Sequence, residues 1–232
     1  MKHFLIISLF LVLGLMLSSC NKDNRGESNL PDDDDVGVII NGIRWSTRNL
    51  ESHGRFTARP EDFGGYFQWG RMGDGHENPN SGTTTILSST DVPHHSNFII
   101  STEEPWDWRY PQNDSLWGTI KTDFDPCPCG WRLPTNDELF DLFTNWEDPP
   151  DWGELHGVSG FFFYSKKQRI FLPAAGKRNV DGSLNNVGIN GYFWSSNSIN
   201  TSGYYAGFNS STRFGGGTKR GYGFSVRCVS DQ

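Results

Sequence analysis

The pattern of apolar and polar positions divides the chain into a short apolar leader and a long body built of short segments. Residues 4–17 are almost wholly apolar. That length suits a signal-peptide core and is too short for a comfortable membrane span. In the body, short apolar runs alternate with Gly, Pro, Asn and Asp, and helical periodicity is rare. The pattern predicts one domain made mainly of strands.

Short strands are predicted where apolar or aromatic runs lie between turn residues. The run VIINGIRW (residues 38–45) predicts a hairpin, because Asn41 and Gly42 both tolerate a positive φ. In the run that ends the chain, Phe224, Val226 and Cys228 share one face, since side chains alternate along a strand. The other predicted strands lie in GGYFQWG, in RIFLP, in GYFWSS and in YYAGF.

One helix is predicted to begin after Thr135. Thr135 and Glu138 form a capping box, in which each side chain accepts the backbone N–H of the other residue. Pro149 and Pro150 set the limit of the predicted helix at its C-terminal end. The apolar residues at helical spacing are Leu139, Phe140, Leu142, Phe143 and Trp146. Residues 73–120 are predicted to form long ordered loops, with room for one further helix.

The leader ends in Leu17-Ser18-Ser19-Cys20, which resembles a bacterial lipobox. The resemblance implies that residues 1–19 are a signal peptide, removed before Cys20 is acylated. Each buried CH₂ of the acyl chains contributes about 0.8 kcal/mol to membrane binding. We expect a protein anchored by lipid in a bacterial outer membrane and exposed at the cell surface. The alternative is a plain secretory signal that happens to precede a cysteine.

The segment after Cys20 is polar and acidic, and residues 20–36 are predicted to be a tether that does not fold alone. The four aspartates at 32–35 lack the glycine and the final glutamate of a calcium loop, which predicts a solvated charge run. The whole chain carries a net charge of −7. Such a chain is a poor candidate for binding nucleic acid or an anionic membrane surface.

The domain contains three cysteines, Cys127, Cys129 and Cys228. Outside the cytoplasm thiols tend to pair, and a bridge between Cys127 and Cys129 would close a very tight ring. A bridge from this segment to Cys228 would tie the middle of the domain to its last strand. A zinc site would need further ligands, for which His94 and His95 stay an alternative. We therefore expect a structural disulfide, no metal and no cofactor.

Six motifs occur in a fixed order along the chain: GIRWSTRNL, GGYFQWG, DPCPCGWRLPTNDEL, FLPAAGKR, GYFWSS and GFSVRCV. Together they resemble the Fibrobacter succinogenes major paralogous domain, which is common in lipoproteins of gut anaerobes. That family is related to the formylglycine-generating-enzyme and C-type-lectin-like folds. The resemblance implies an α+β domain over residues 37–232, with a twisted antiparallel sheet, one or two helices and long irregular loops. The family pattern also implies that Cys127, rather than Cys129, pairs with Cys228.

Residues 191–223 are rich in Tyr, Ser, Asn and Gly, a composition that antibody loops favour for binding. Strand alternation predicts that Tyr205, Asn209 and Arg213 are exposed together as ligand-binding residues. Tyr204 and Phe208 are then predicted to face the core. The alternative is that these are ordinary strands and loops of a glycine-rich domain.

The expected function is non-catalytic binding of, or adhesion to, an extracellular glycan or protein. A structural subunit of a surface filament is an alternative. An enzyme of the formylglycine-generating type is less favoured, because that activity uses a cysteine pair in the C-terminal region, where only Cys228 lies. Glu154 and His156 are a conceivable acid–base pair. Four tryptophans, at 106, 108, 152 and 194, could stack on sugar rings but are more typical of a core.

Overall fold

The computed structural model describes residues 35–146 and 148–231. The predicted signal peptide, Cys20 and nearly all of the predicted tether lie outside these ranges. The described part is mostly β-sheet with a single short helix, α1 (Asn136–Thr144), which is compatible with the predicted α+β class. No helix within residues 35–146 and 148–231 is long and apolar enough to cross a membrane.

Eighteen strands are present in the described residues. In chain order they are β1 (Val38–Ile40), β2 (Ile43–Trp45), β3 (Leu50–Ser52), β4 (Arg55–Phe56), β5 (Phe67–Gln68), β6 (Thr83–Thr84), β7 (Phe98–Ile99), β8 (Trp131–Arg132), β9 (Asp151–Leu155), β10 (Val158–Ser165), β11 (Gln168–Pro173), β12 (Lys177–Arg178), β13 (Leu184–Asn185), β14 (Gly191–Ile199), β15 (Ser202–Phe208), β16 (Arg213–Lys219), β17 (Gly223–Phe224) and β18 (Val229–Ser230).

The strands form several small sheets, antiparallel except for the pair β6–β7. One four-stranded sheet has the order β1-β2-β18-β8 and joins the two ends of the domain. A second has the order β13-β12-β17-β5, and two three-stranded sheets have the orders β11-β10-β9 and β14-β15-β16. The predicted first hairpin is confirmed: Asn41 and Gly42 have φ of 52° and 82° between β1 and β2.

The sheet β14-β15-β16 contributes side chains to two hydrophobic cores, because successive side chains along a strand point to opposite faces. Phe193 and Phe208 enter the first core, which also contains the buried face of α1 and residues of β10 and β11. Tyr192 and Trp194 enter the second core. The second core also holds Phe224, Val226 and Cys228, as the alternation predicted. Packing on both of its faces therefore fixes the position of this sheet, which is called the late sheet below.

Helix α1 begins at the predicted capping box, in which the backbone N–H of Glu138 donates to Thr135 and the Glu138 carboxylate accepts from the N–H of Thr135. Arg132 donates two hydrogen bonds to that carboxylate, at 2.8 and 2.7 Å. Phe140, by contrast, is 65% exposed. Residues 73–120 contain only β6 and β7, so the second helix allowed for there is absent from this described segment.

Residues of the six sequence motifs hold distant segments of the domain together. The fully buried guanidinium of Arg227 donates to the side chain of Asn49 and to the carbonyls of Ser46 and Phe171, which joins three segments. The Trp194 indole N–H donates to the carbonyl of Phe67 at 2.6 Å. Cys127 and Cys228 form the predicted disulfide.

The folded domain begins earlier than the tether prediction allowed. The Asp35 carboxylate is buried and accepts hydrogen bonds from the backbone N–H groups of Gly37, Thr47 and Arg48. The prediction of a solvated charge run is therefore wrong for Asp35. Its carboxylate replaces water with three backbone donors, which offsets the cost of burying the charge.

Candidate functional site

The three predicted ligand-binding residues do not share one face. Tyr205 lies opposite Trp194 on one side and Gly216 on the other, which sets its side chain on the face of the second core. Arg213 lies directly opposite Phe208 and therefore shares the face of the first core. The prediction of joint exposure is wrong because side-chain alternation does not continue through the turn at Asn209, where the chain reverses.

Asn209 stabilises that turn. Its side-chain oxygen accepts from the backbone N–H groups of Ser211 and Thr212, both at 2.9 Å. Its backbone N–H donates to the carbonyl of Thr212. The expected core position of Phe208 is confirmed, since it is 0% exposed, whereas Tyr204 is half-buried.

Tyr205 belongs to an aromatic cluster at the edge of the second core. The cluster consists of Tyr192, Tyr205, Phe214, Tyr222 and Phe224. The ring of Phe224 is buried, and the centroids of Tyr192, Tyr205 and Tyr222 lie 5.1, 5.2 and 5.6 Å from it. Tyr205, Phe214 and Tyr222 are half-buried. The cluster therefore combines buried rings, which hold it in place, with ring surface that is open to solvent.

Lys177 places a positive charge on this aromatic cluster. Its Nζ lies 4.3 Å from the ring centroid of Tyr222 and 5.3 Å from that of Tyr192. No carboxylate within the described part of the chain lies within 4.0 Å of this nitrogen. Attraction to the ring faces holds the ammonium in place without neutralising it. The cation is thus available to an anionic group of a ligand.

Polar groups border the cluster. The amides of Asn186 and Asn190 donate to the Tyr192 hydroxyl at 3.1 and 2.7 Å. Burial, with a smaller effect of Tyr192 and Tyr222, raises the pKa of Tyr205. The Tyr205 hydroxyl therefore stays protonated at neutral pH and can donate a hydrogen bond. Together these groups offer apolar contact, hydrogen bonding and one positive charge on an open surface.

The sequence identified Tyr205 but not its partners. Tyr192 could have been found, because it stands two residues before Trp194 in a predicted strand and so shares its face. Lys177 and Tyr222 come from β12 and the turn before β17, which only the tertiary fold brings together. No local pattern indicates that contact.

The tryptophans named as possible sugar-stacking residues are mostly engaged in the structure. Trp108 and Trp194 are 0% exposed, and Trp152 packs against the first core. Trp106 is half-buried, with the Nζ of Lys219 3.4 Å from its ring centroid. Core placement is therefore the main role of these residues.

The conceivable pair of Glu154 and His156 does not appear as predicted. His156, at the turn between β9 and β10, contacts the Glu61 carboxylate through Nδ1 at 2.8 Å. This contact joins positions 95 residues apart. The hydrogen bond from His156 lowers the pKa of Glu61. The pair attaches the tip of a hairpin to the loop that carries Glu61.

One group of possible metal ligands occurs among the described residues, formed by Asp74, His76 and Glu77. His76 is buried; its Nε2 accepts from the backbone N–H of Gln68, and its Nδ1 faces the Asp74 carboxylate at 2.8 Å. Burial lowers the pKa of His76 to about 4, so the ring is neutral at pH 7. Both ring nitrogens are already hydrogen-bonded. His95 is also engaged, since its Nδ1 accepts from the N–H of Asn97.

Two surface recesses are small compared with most ligand pockets. One, of about 120 Å³, lies beside Leu155, Phe162 and Arg169. Another, of about 280 Å³, lies beside Leu87 and Ser101. Small-molecule sites usually enclose roughly 300–1,000 Å³. These dimensions favour recognition on an open surface, such as the aromatic cluster.

No family model matches the chain, and no curated protein or solved structure shows significant similarity to it.

Proposed function

We propose that this chain is a non-catalytic ligand-binding or adhesion module, held at a bacterial outer membrane by lipid on Cys20. The observation that carries the proposal is the half-exposed aromatic cluster with the ammonium of Lys177 on its rings. Rigid aromatic side chains beside a cation are typical of the residues that dominate binding energy. The ligand is an extracellular glycan or protein.

The distribution of roles along the sequence supports a binding function. The motif residues Asn49, Trp194 and Arg227 are engaged in the frame of the domain. The aromatic cluster, in contrast, draws most of its exposed surface from residues between the last two motifs. Six ordered motifs support membership of the Fibrobacter succinogenes major paralogous domain family. A C-type-lectin-like arrangement would also use the late region for ligands.

The test is a glycan and host-protein array probed with the soluble domain, residues 35–231. For a ligand that the array identifies, Tyr205→Ala and Lys177→Met should each weaken binding. Truncating an interface anchor typically costs 2 kcal/mol or more, about thirtyfold in affinity. Phe140→Ala is the matched control, because Phe140 is 65% exposed and lies outside the cluster.

Melting temperatures of the variants separate binding from folding. If Tyr205→Ala and Lys177→Met bind as well as the unchanged domain, the aromatic cluster is not the ligand site. The loop at residues 106–110 would then be the next surface to test.

The proposed anchor has its own test. Cys20→Ala should move the protein from the membrane fraction to the soluble fraction and abolish incorporation of labelled fatty acid. Unchanged membrane retention would exclude the lipid anchor while leaving the binding proposal intact.

A further inference from the structure

We infer that the free edge of β16 is a docking strand for an extended polypeptide segment that carries acidic residues at both ends. This inference goes beyond the proposed function, because it concerns a sheet edge rather than the aromatic cluster. β16 is the outermost strand of the sheet β14-β15-β16. It pairs with β15 over all seven of its residues, and no described strand pairs with its other side.

The register identifies the backbone groups on that edge. In an antiparallel pair, hydrogen-bonded and non-hydrogen-bonded positions alternate. The bond from the N–H of Asn209 to the carbonyl of Thr212 fixes this alternation next to the turn. Arg213, Gly215, Gly217 and Lys219 therefore direct their N–H and C=O groups away from β15. Consistently, Arg213, Gly215 and Gly217 are exposed and the residues between them are half-buried.

The centre of the edge lacks the devices that usually prevent strand pairing. Proline, a β-bulge or a charged side chain commonly blocks an edge strand, and β16 carries charged side chains only at its two ends. β16 has no proline, and its register with β15 is unbroken from Lys219 to Arg213. The centre is three glycines, and the outward-directed Gly215 and Gly217 are exposed. No side chain of their own therefore covers these backbone groups.

Packing alone explains part of this glycine content. A Cβ at Gly215 would lie 2.7 Å from the carbonyl oxygen of Tyr205, and Gly216 has φ of +144°. The glycine-rich, unpaired edge of β16 therefore does not by itself indicate a binding partner.

The charges at the two ends of β16 supply the independent observation. The Arg213 guanidinium lies 4.3 Å from the ring centroid of Trp146, and the Lys219 Nζ lies 3.4 Å from that of Trp106. Among the described residues, no carboxylate lies within 4.0 Å of either cation. The chain as a whole carries a net charge of −7. Two unneutralised cations thus flank the open edge of an acidic protein.

These charges select the kind of partner. A second copy pairing antiparallel through β16 would place Arg213 opposite Lys219 at both ends, and like charges directly opposite destabilise a strand pair. A foreign strand with carboxylates six positions apart, roughly 20 Å in an extended chain, would meet both cations. Main-chain hydrogen bonds supply affinity in this mode of recognition, and the side chains supply specificity.

The experiment selects random linear peptides from a surface-displayed library on the soluble domain, residues 35–231. Selected peptides should carry Asp or Glu at both ends of a β-branched stretch. Arg213→Glu with Lys219→Glu should weaken their binding at least tenfold. Lys166→Glu with Lys167→Glu is the matched control, because it makes the same charge change at two exposed lysines in another turn and should bind normally.

Two further measurements locate the peptide. Gly217→Pro removes one outward N–H and should abolish binding, since proline cannot donate to a docked strand. A Cβ at Gly217 lies 3.1 Å from a methyl carbon of Ile199, so the melting temperature of this variant is measured beside its binding to separate lost docking from lost folding. Hydrogen exchange at Gly215 and Gly217 should slow when peptide is bound. Lack of any selected peptide, or peptides that bind the Arg213→Glu, Lys219→Glu variant normally, would overturn the inference. If Tyr205→Ala alone abolishes peptide binding, the docking strand fails and the proposed function stands.

Discussion

Arg227 shows what a buried charge does in this domain. Its guanidinium is enclosed by Ser46, Asn49 and Phe171, each of which accepts one of its hydrogen bonds. Burial lowers its pKa to about 9, so it is still charged at neutral pH. Removing one acceptor would leave a buried charge uncompensated, which is strongly destabilising. Arg227 of the motif GFSVRCV therefore holds three segments in alignment.

His76 predicts how stability depends on pH. Its pKa is about 4 in the folded state and about 6.5 when unfolded, because burial opposes the charged form. The unfolded chain binds more protons between these values, so this contribution to stability is present above pH 6.5 and is lost as pH falls. From pH 7 to pH 5 the loss amounts to about 2 kcal/mol.

Urea unfolding of the unchanged domain and of His76→Gln at both pH values measures this contribution. Asp107 titrates in the opposite sense, since burial raises its pKa to about 6, but it is common to both proteins and cancels in the difference. An equal pH dependence in the two proteins would contradict the assignment to His76.

Among the elements, those with a local chemical signal were predictable from sequence. Asn41-Gly42 fixes the first hairpin, and Thr135 with Glu138 fixes the start of α1. β16 was missed because its centre is glycine, which has low strand propensity, and its pairing with β15 decides its conformation. The hairpin of β9 and β10 lacks such a signal, because its turn places His156 at φ of 49°, a conformation that is uncommon for residues other than glycine.

The capping box of α1 predicts a measurable helix contribution. Thr135→Ala removes the acceptor for the N–H of Glu138 and should lower the free energy of unfolding by about 1 kcal/mol. Thr144→Ala, in the last turn of the same helix, is the control, because its hydroxyl only donates to the carbonyl of Phe140. Equal losses in the two variants would show that the cap contributes nothing specific.

At the scale of the whole molecule, the candidate site was less predictable than the fold class. The composition of residues 191–223 indicated the correct region of the aromatic cluster through Tyr205. Lys177 comes from outside that segment and meets Tyr222 only because β12 pairs with β17. The predicted face of Arg213 is wrong, because the reversal at Asn209 changes which positions of β15 and β16 align. Pairing between strands determines both the contact of Lys177 with Tyr222 and the face on which Arg213 lies. A single sequence does not display that pairing.

The disulfide predicts a large effect on global stability. Cys127 and Cys228 are 101 residues apart, and closing a loop of that length contributes up to about 4.7 kcal/mol by restricting the unfolded chain. The double variant Cys127→Ala, Cys228→Ala should lose most of that stability in urea unfolding. An unchanged unfolding midpoint would show that native packing alone fixes the two segments.

The same cross-link determines how the protein would carry mechanical load. If the N-terminal end is held at a membrane while a ligand is held on the late sheet, tension passes through the chain between them. The bond between Cys127 and Cys228 gives that tension a covalent shortcut from the middle of the domain to β18, so β9, β10 and β11 are bypassed. Even after the domain opens under force, most of the 101-residue loop stays slack. The length that the opened domain adds between the membrane and the ligand is correspondingly short.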